Sequence, residues 1–440
     1  MKKVYGTTDN EYNNVIALIN KIFRTNRGFK PTMMKEFPNL LSKNNMDNMR
    51  IIKKGNIPIS VANFLKQRIL LEGASLNVAS IGAVCTDPLW RGKSLSSLIL
   101  DDIENNLYID GIELLFVSGT RSLYQRRGCT MTKNFLEYTI YPENIPLNFE
   151  FREYTDSYMH EIFCLYNTLS TRFYRSYENF MDLMISSTIP WGNIHYKKYV
   201  IFNNNKVSGY IILKIFKDDV DIAEVKECFI EDDYIFTILK HLAYINHLQS
   251  ISYKVNKSTP VSILTPHSNI MVKDAYQEGS LKVVNFEKLM TSLLPYFSNH
   301  VDDAIVNQIK FQTSLYEPNN NDSIPKILDS SSTTLPPPTT EPICTEYINN
   351  NILPDYNQGF KFGISDDLLN HVEIIDSGKT YKFILDDEVL EIRNIRILNK
   401  LIFEGSTGLH LNLTGKNNLK LFIDTVFPIP FVYLGNLNYQ

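Results

Sequence analysis

The feature that most constrains this chain lies between Ser80 and Ser118. The apolar stretch "SIGAVCT" reads as a strand, "PLWRGKS" as a turn, and "LSSLILDDIENNLYI" as a helix. The helix begins near Lys93, carries Leu95, Leu98, Ile99 and Ile103 on its inner face, and ends near "IDG". After Gly111 the run "IELLFVS" is continuously apolar, the pattern of a strand buried on both faces. The turn is small and basic. The first N–H groups of the helix behind it have no intrahelical partners, so the pattern builds an anion site.

The rest of the chain repeats this mixture of strands and helices, so the expected fold class is α+β, in the sense of mixed α/β layers. A chain of 440 residues is long for one domain. The first unit spans 1–145, opening with a strand and a helix bearing Val15, Leu18, Ile19 and Ile22. Hairpin signals follow at "KKGN" and "EGAS". A second unit, 146–315, repeats the order of strand, helices and strand meander. Residues 316–351, including "NNNDSIPKILDSSSTTLPPPTTEP", read as a linker or long loop. Short strands and one apolar helix, "IRILNKLIF", make up 352–440, ending in the uncharged run "VFPIPFVYLGNLNYQ". A tail this apolar is expected to dock into the protein.

The net charge of −4 gives no overall attraction to nucleic acid, and "YQRRGC" is too short for such a footprint. The five cysteines are scattered without a C-x-x-C pair, and the histidines show no ligand spacing, so no metal site is expected. The N-terminus lacks a signal-type apolar core, and no uncharged run is long enough to span a bilayer. The expectation is a reduced, cytoplasmic protein with no nucleic-acid or membrane partner; homo-oligomerisation is left open.

The stretch "VCTDPLWRGKSLSSLIL" resembles the acyl-CoA motif of the GNAT acetyltransferases, R/Q-x-x-G-x-G/A after a strand. Arg91 matches its first position, while Ser94 and Ser96 stand where the central glycine and the final Gly or Ala are usual. "SLYQRRGC" is similar to the family's Y-x-x-x-G-F/Y stretch, with Tyr124 and Gly128 in register and Cys129 in place of the aromatic. Two such units before a strand-rich end resemble acetyltransferases of the enhanced intracellular survival type, whose last unit is sterol-carrier-like.

The resemblance implies acetyl-CoA as co-substrate. Backbone N–H groups of Val84, Cys85 and Thr86 would face the acetyl carbonyl. Gly92, Lys93, Ser94, Leu95, Ser96 and Ser97 would cradle the pyrophosphate beside Arg91, and Gly119 and Thr120 would form the second cofactor-contacting stretch. Tyr124 would protonate the departing thiolate; a phenol holds its proton at neutral pH, which suits a general acid. The family's base is the terminal carboxylate, here that of Gln440. In the second unit "EDDYIF" puts three acids at the corresponding helix start, which repels a pyrophosphate.

The implied acceptor is a primary amine on a small polyamine-like or aminoglycoside-like molecule, or a lysine side chain. Glu36, on the first helix pair, could hold an amine, but a Glu on a helix is more often solvated, and a surface acid is the expectation. A second reading, a non-catalytic ligand-binding protein with a retired acyltransferase core, stays open because of the two serines.

Overall fold

The computed structural model describes residues 3–217, 221–258, 270–315, 379–407, 409, 411, 413–414 and 418–438. The expected linker and the start of the C-terminal unit lie outside this set. The described residues form a mixed α/β structure around three sheets.

The first sheet has the order β1 (Tyr5–Gly6), β2 (Met49–Lys54), β3 (Ile57–Leu71), β4 (Ala74–Thr86), β5 (Leu114–Val117) and β14 (Ser280–Val283). Gly55 and the pair Glu72–Gly73 turn the β2–β3 and β3–β4 hairpins with positive φ, as "KKGN" and "EGAS" predict. Only β4 and β5 pair in parallel, and helix α1 (Leu95–Ile109) crosses between them. Its buried face carries Leu95, Ile99, Leu100, Ile103 and Leu107. Leu98 is exposed instead of buried, because Leu100 takes the inward position next to Ile99.

The second sheet repeats this pattern. Its order is β13 (Ile270–Ala275), β6 (Phe135–Ile140), β12 (Ser250–Asn256), β11 (Ile222–Phe229), β10 (Lys206–Phe216), β9 (Ile194–Asn203) and β7 (Glu150–Glu153). Here the parallel pair is β11 with β12. The two sheets trade strands across the expected boundary at residue 145. β6 pairs with β12 and β13 in the second sheet, while β14 pairs with β5 in the first.

The third sheet joins β15 (Lys310–Leu315), β16 (Lys379–Leu385), β17 (Glu388–Ile392) and β18 (Leu413–Thr414), so a strand preceding the linker completes it. Helix α2 (Ile395–Glu404) packs against this sheet and against β14. One apolar core runs from Leu76, Leu114 and Phe116 of the first sheet through Phe383 and Leu401 to Phe431 of the tail. The tail is docked, as its composition predicts: Phe431 packs edge-on to Phe116, and Tyr433 to Phe135.

Candidate active site

The parallel pairing of β4 with β5 stops at Ile81 opposite Val117. Beyond it β4 continues to Thr86, and the register with β3 jumps between Asn63–Gly82 and Val61–Cys85. Ala83 and Val84 therefore sit in a β-bulge, and Ala83 takes φ +50°. A bulge frees backbone groups from the ladder and bends the strand. Beyond Ile81, β4 therefore runs on without a ladder to β5, with part of its backbone released at the bulge.

The basic turn closes the same end. Asp87 accepts from the Leu89 N–H at 3.1 Å and from Lys21 at 2.9 Å, fixing the chain as it leaves β4. The Arg91 guanidinium donates to the Thr86 carbonyl at 3.3 Å. Lys93 and Lys54 both stand over the Trp90 ring, 4.5 and 5.1 Å from its centroid, concentrating positive charge beside the turn. Gly92 has φ +73°, and a Cβ there would meet nothing within 4 Å, so its surface is open.

Ser94 begins α1 at φ +55° and ψ +25°, the left-handed region, and its side chain caps nothing. The helix N-terminus is thus free of side-chain caps and available to an anion. Ser94 occupies a glycine-type conformation at a cost of about 1 kcal/mol. The Ser96 hydroxyl is engaged with Thr86 Oγ1 at 3.0 Å, which in turn meets Ser60 at 2.8 Å. This chain of hydroxyls ties α1 to the end of β4.

Tyr124 lies on the short helix Ser122–Gln125 after β5 and is buried. Gly119 is pressed against its ring: a Cβ at Gly119 would lie 2.9 Å from Tyr124 Cε2. The Thr120 carbonyl is held by Gln125 at 3.1 Å. Burial, only partly offset by Arg121, pushes the Tyr124 phenol up to about 12. The Cys85 and Cys129 thiols are likewise pushed up to about 12 by burial, so neither is a thiolate at neutral pH.

The structure thus brings Val84, Cys85, Thr86, the turn Arg91–Ser97, Gly119, Thr120 and Tyr124 to one end of the first sheet. Gln440 lies outside the described residues. Asn438, near the end of the tail, receives the Arg175 guanidinium at 2.7 Å.

Two features escape a linear reading. Glu36 is buried, not solvated, and pairs with Arg24 through both carboxylate oxygens, Nε to Oε1 at 2.8 Å. It lines a cavity of about 130 Å³ with Arg24, Lys214, Glu224, Lys226 and Glu278. That cavity adjoins the splayed strands. Gly279, next to Glu278, backs directly onto the Val117 carbonyl, and Ser280 donates to the Gly119 carbonyl at 2.9 Å. On its other side Phe37 packs in the same cluster as Ala83 and Cys85. A larger cavity of about 680 Å³ sits at the opposite end of β3 and β4, beside Arg68 and Asn77, away from the splay.

The family model for the acetyltransferase (GNAT) domain matches residues 3–132. That stretch is a GNAT acetyltransferase domain. It ends just before β6, the strand given over to the second sheet, and contains the turn, the splay and Tyr124. The chain is therefore an acyltransferase that draws on acyl-CoA. The whole chain resembles a GCN5-related N-acetyltransferase from Anabaena variabilis, at 13% identity and TM-score 0.57, covering 97% of each chain. It also resembles one from Kribbella flavida, at 11% identity and TM-score 0.56, covering 100% of this chain and 98% of that one. A probable N-acyltransferase from Enterococcus faecalis is similar over 67% of this chain and 74% of its own, at 17% identity and TM-score 0.50. At such identities the likeness is one of fold. No curated protein matches in sequence. Among the described residues no helix is long and apolar enough to cross a membrane, and no acidic, His or Cys cluster is placed to hold a metal.

Proposed function

We propose that the chain is an N-acetyltransferase that moves an acetyl group from acetyl-CoA to a primary amine, with one cofactor site, in the first sheet. The observation that carries this reading is the conjunction of the β4–β5 splay, the bulge at Ala83 and the uncapped start of α1. Each supports one part of the cofactor: acyl group, pantetheine and pyrophosphate.

In this reading Gly92 to Ser97, flanked by Arg91 and Lys93, hold the pyrophosphate by backbone N–H groups and charge. Freed backbone at Val84, Cys85 and Thr86 polarises the acyl carbonyl, a task for preorganised N–H donors. Tyr124 delivers its proton to the leaving sulfur, and its buried phenol keeps that proton available across the physiological range. The amine enters from the cavity beside Glu278 as the free base and attacks the acyl carbon; the C–S bond breaks to give amide and CoA thiol, and the proton lost by the nitrogen restores the Tyr124 phenol.

The second half serves as scaffold in this proposal. The docked tail crosses the diverging ends of β11 and β12: Asn256 donates to the Phe431 carbonyl at 3.0 Å, and Lys254 to the Tyr433 hydroxyl at 3.2 Å. Chain occupies the place where a second acyl-CoA would enter, in addition to the acidic "EDD" at the helix start.

Calorimetry with acetyl-CoA tests the reading. One equivalent should bind per chain, and Gly92→Glu, which has room for its side chain but sets a carboxylate against the pyrophosphate, should abolish binding without unfolding. A stoichiometry of two, or undiminished binding in that variant, refutes it.

A further inference from the structure

The cavity beside the splayed strands is small and internally almost neutralised, and its chemistry narrows the acceptor. Its carboxylates are already engaged. Glu36 is held by Arg24, and Glu224 meets Lys214 at 3.5 Å. Glu278 accepts from the Tyr433 hydroxyl at 2.6 Å, and that hydroxyl also receives Lys254. Three cations (Arg24, Lys214, Lys226) and three carboxylates (Glu36, Glu224, Glu278) line the cavity, and Lys226 is the one of these cations with no ion pair among the described residues.

Lys226 has no carboxylate within 4 Å among the described residues; its polar contact is the Gly435 carbonyl at 3.5 Å, a long bond for an ammonium. Its position is also irregular. The β10–β11 register passes from Ile212–Glu227 to Leu213–Val225, so Lys226 is the extra residue of a β-bulge. Lys226 lines the cavity together with Glu224, two residues before it on the same strand. Burial, reinforced by Lys214, lowers its ammonium to about 8, still protonated at neutral pH. Glu278, Glu227 and Glu224 offset that burial only in part, and a poorly hydrogen-bonded buried charge is costly unless a counter-ion meets it.

Size gives the second constraint. A volume of about 130 Å³ is comparable to the roughly 150 Å³ cavity that accepts one benzene. A small molecule, or one end of a larger one, fills that space.

We propose that the acceptor is a small amine bearing its own carboxylate, an amino-acid-type molecule, and that Lys226 binds that carboxylate. The proposal rests on the acetyl-transfer reading above and specifies its second substrate.

The test uses the full chain, acetyl-CoA and matched pairs: glycine, L-alanine, β-alanine and 4-aminobutyrate, each against its carboxamide, with thiol release as readout. The carboxamides are the less basic amines, so the supply of free amine favours them and a preference for the carboxylates reports recognition. At least one pair should favour the carboxylate ten- to a hundredfold in kcat/KM, the scale of a charge-assisted contact. In Lys226→Met, and in Lys226→Gln as a second neutral variant, that preference should fall to about one through KM, with the acetyl-CoA Kd unchanged. Equal or better turnover of the carboxamides in every wild-type pair overturns the proposal, as does an equal loss for both members in the variants. If no amine releases thiol, the acetyl-transfer reading fails by itself, and calorimetry with the four carboxylates in the presence of CoA decides this one. Binding to wild type that both variants lose upholds it; absence of binding overturns it.

Discussion

Removal of a single oxygen at Tyr124 tests the proposed general acid apart from folding. The phenol is buried, and no protein group among the described residues hydrogen-bonds its hydroxyl. Tyr124→Phe therefore strands no partner and keeps the ring against Gly119, so the stability change should be well under the ~1 kcal/mol of an ordinary buried hydrogen bond. A positioned general acid contributes about two to four decades of rate, or roughly 3–5 kcal/mol at 1.36 kcal/mol per decade. The expected result is a drop of about a hundredfold or more in kcat with an unchanged acetyl-CoA Kd and an unchanged melting temperature. The pH dependence has a definite sign. Burial disfavours the phenolate, so with a pKa of about 12 only about 1% is ionised at pH 10, where an ordinary tyrosine is half ionised. The same shift makes the phenol's contribution to stability complete below pH 10 and lost as pH rises through about 12. Single-turnover thiol release from pH 6 to 10 should show no alkaline loss attributable to Tyr124. Wild-type kcat in the phenylalanine variant, with folding intact, would reduce Tyr124 to a packing residue.

Two further substitutions test the parts around it. Ser94→Gly removes a left-handed serine whose hydroxyl caps nothing; stability should hold or rise by up to about 1 kcal/mol, and acetyl-CoA should bind at least as tightly, as thermal melts and calorimetry would read. Markedly weaker binding would mean that the serine hydroxyl itself grips the phosphate. Arg175 is fully buried in a bidentate pair with Glu227, at 2.8 and 2.7 Å, while also holding Asn438. Arg175→Met leaves that carboxylate uncompensated and should cost about 3–5 kcal/mol in denaturant titrations, with the double variant Arg175→Met/Glu227→Met recovering part of the loss.

Local chemistry was legible where one short segment determines it. The turn Arg91–Ser97 shows itself through small basic residues between a strand and a helix, and Gly111 before "IELLFVS" marks a doubly buried strand. The hairpin at Gly55 is equally explicit. What the sequence hides is pairing at long range. "FLEYTI" carries its alternation whether it joins the first sheet or the second, and nothing local says that Ser280–Val283 will close the first sheet beside β5. Glu36 reads as a surface acid until Arg24, twelve residues earlier, is brought against it. Lys226 is hidden for a different reason. In "AEVKECF" alternation puts it on one face with Glu224, and nothing local says that Glu278 and Tyr433 close a cavity over that face.

These long-range contacts also tie the candidate site to residues beyond 132. The loop bearing Tyr124 is not self-supporting. Asn399 of α2, fully buried, donates to the Gly128 carbonyl and to Thr130 Oγ1 at 3.0 Å each, while its own carbonyl oxygen accepts from Val283 of β14. Arg396 donates to the Gln125 carbonyl at 2.6 Å, and Ile395 sits so close that a Cβ at Gly128 would come within 2.7 Å of it. The glycine at this point of the motif is thus required twice, once by φ +84° and once by the helix packed above it. One wall of the cavity comes from β10 and β11, another from the tail, and β14 seals the edge of β5. The GNAT segment contains the turn Arg91–Ser97 and Tyr124, and described residues beyond it pack against the Tyr124 loop and line the cavity beside it.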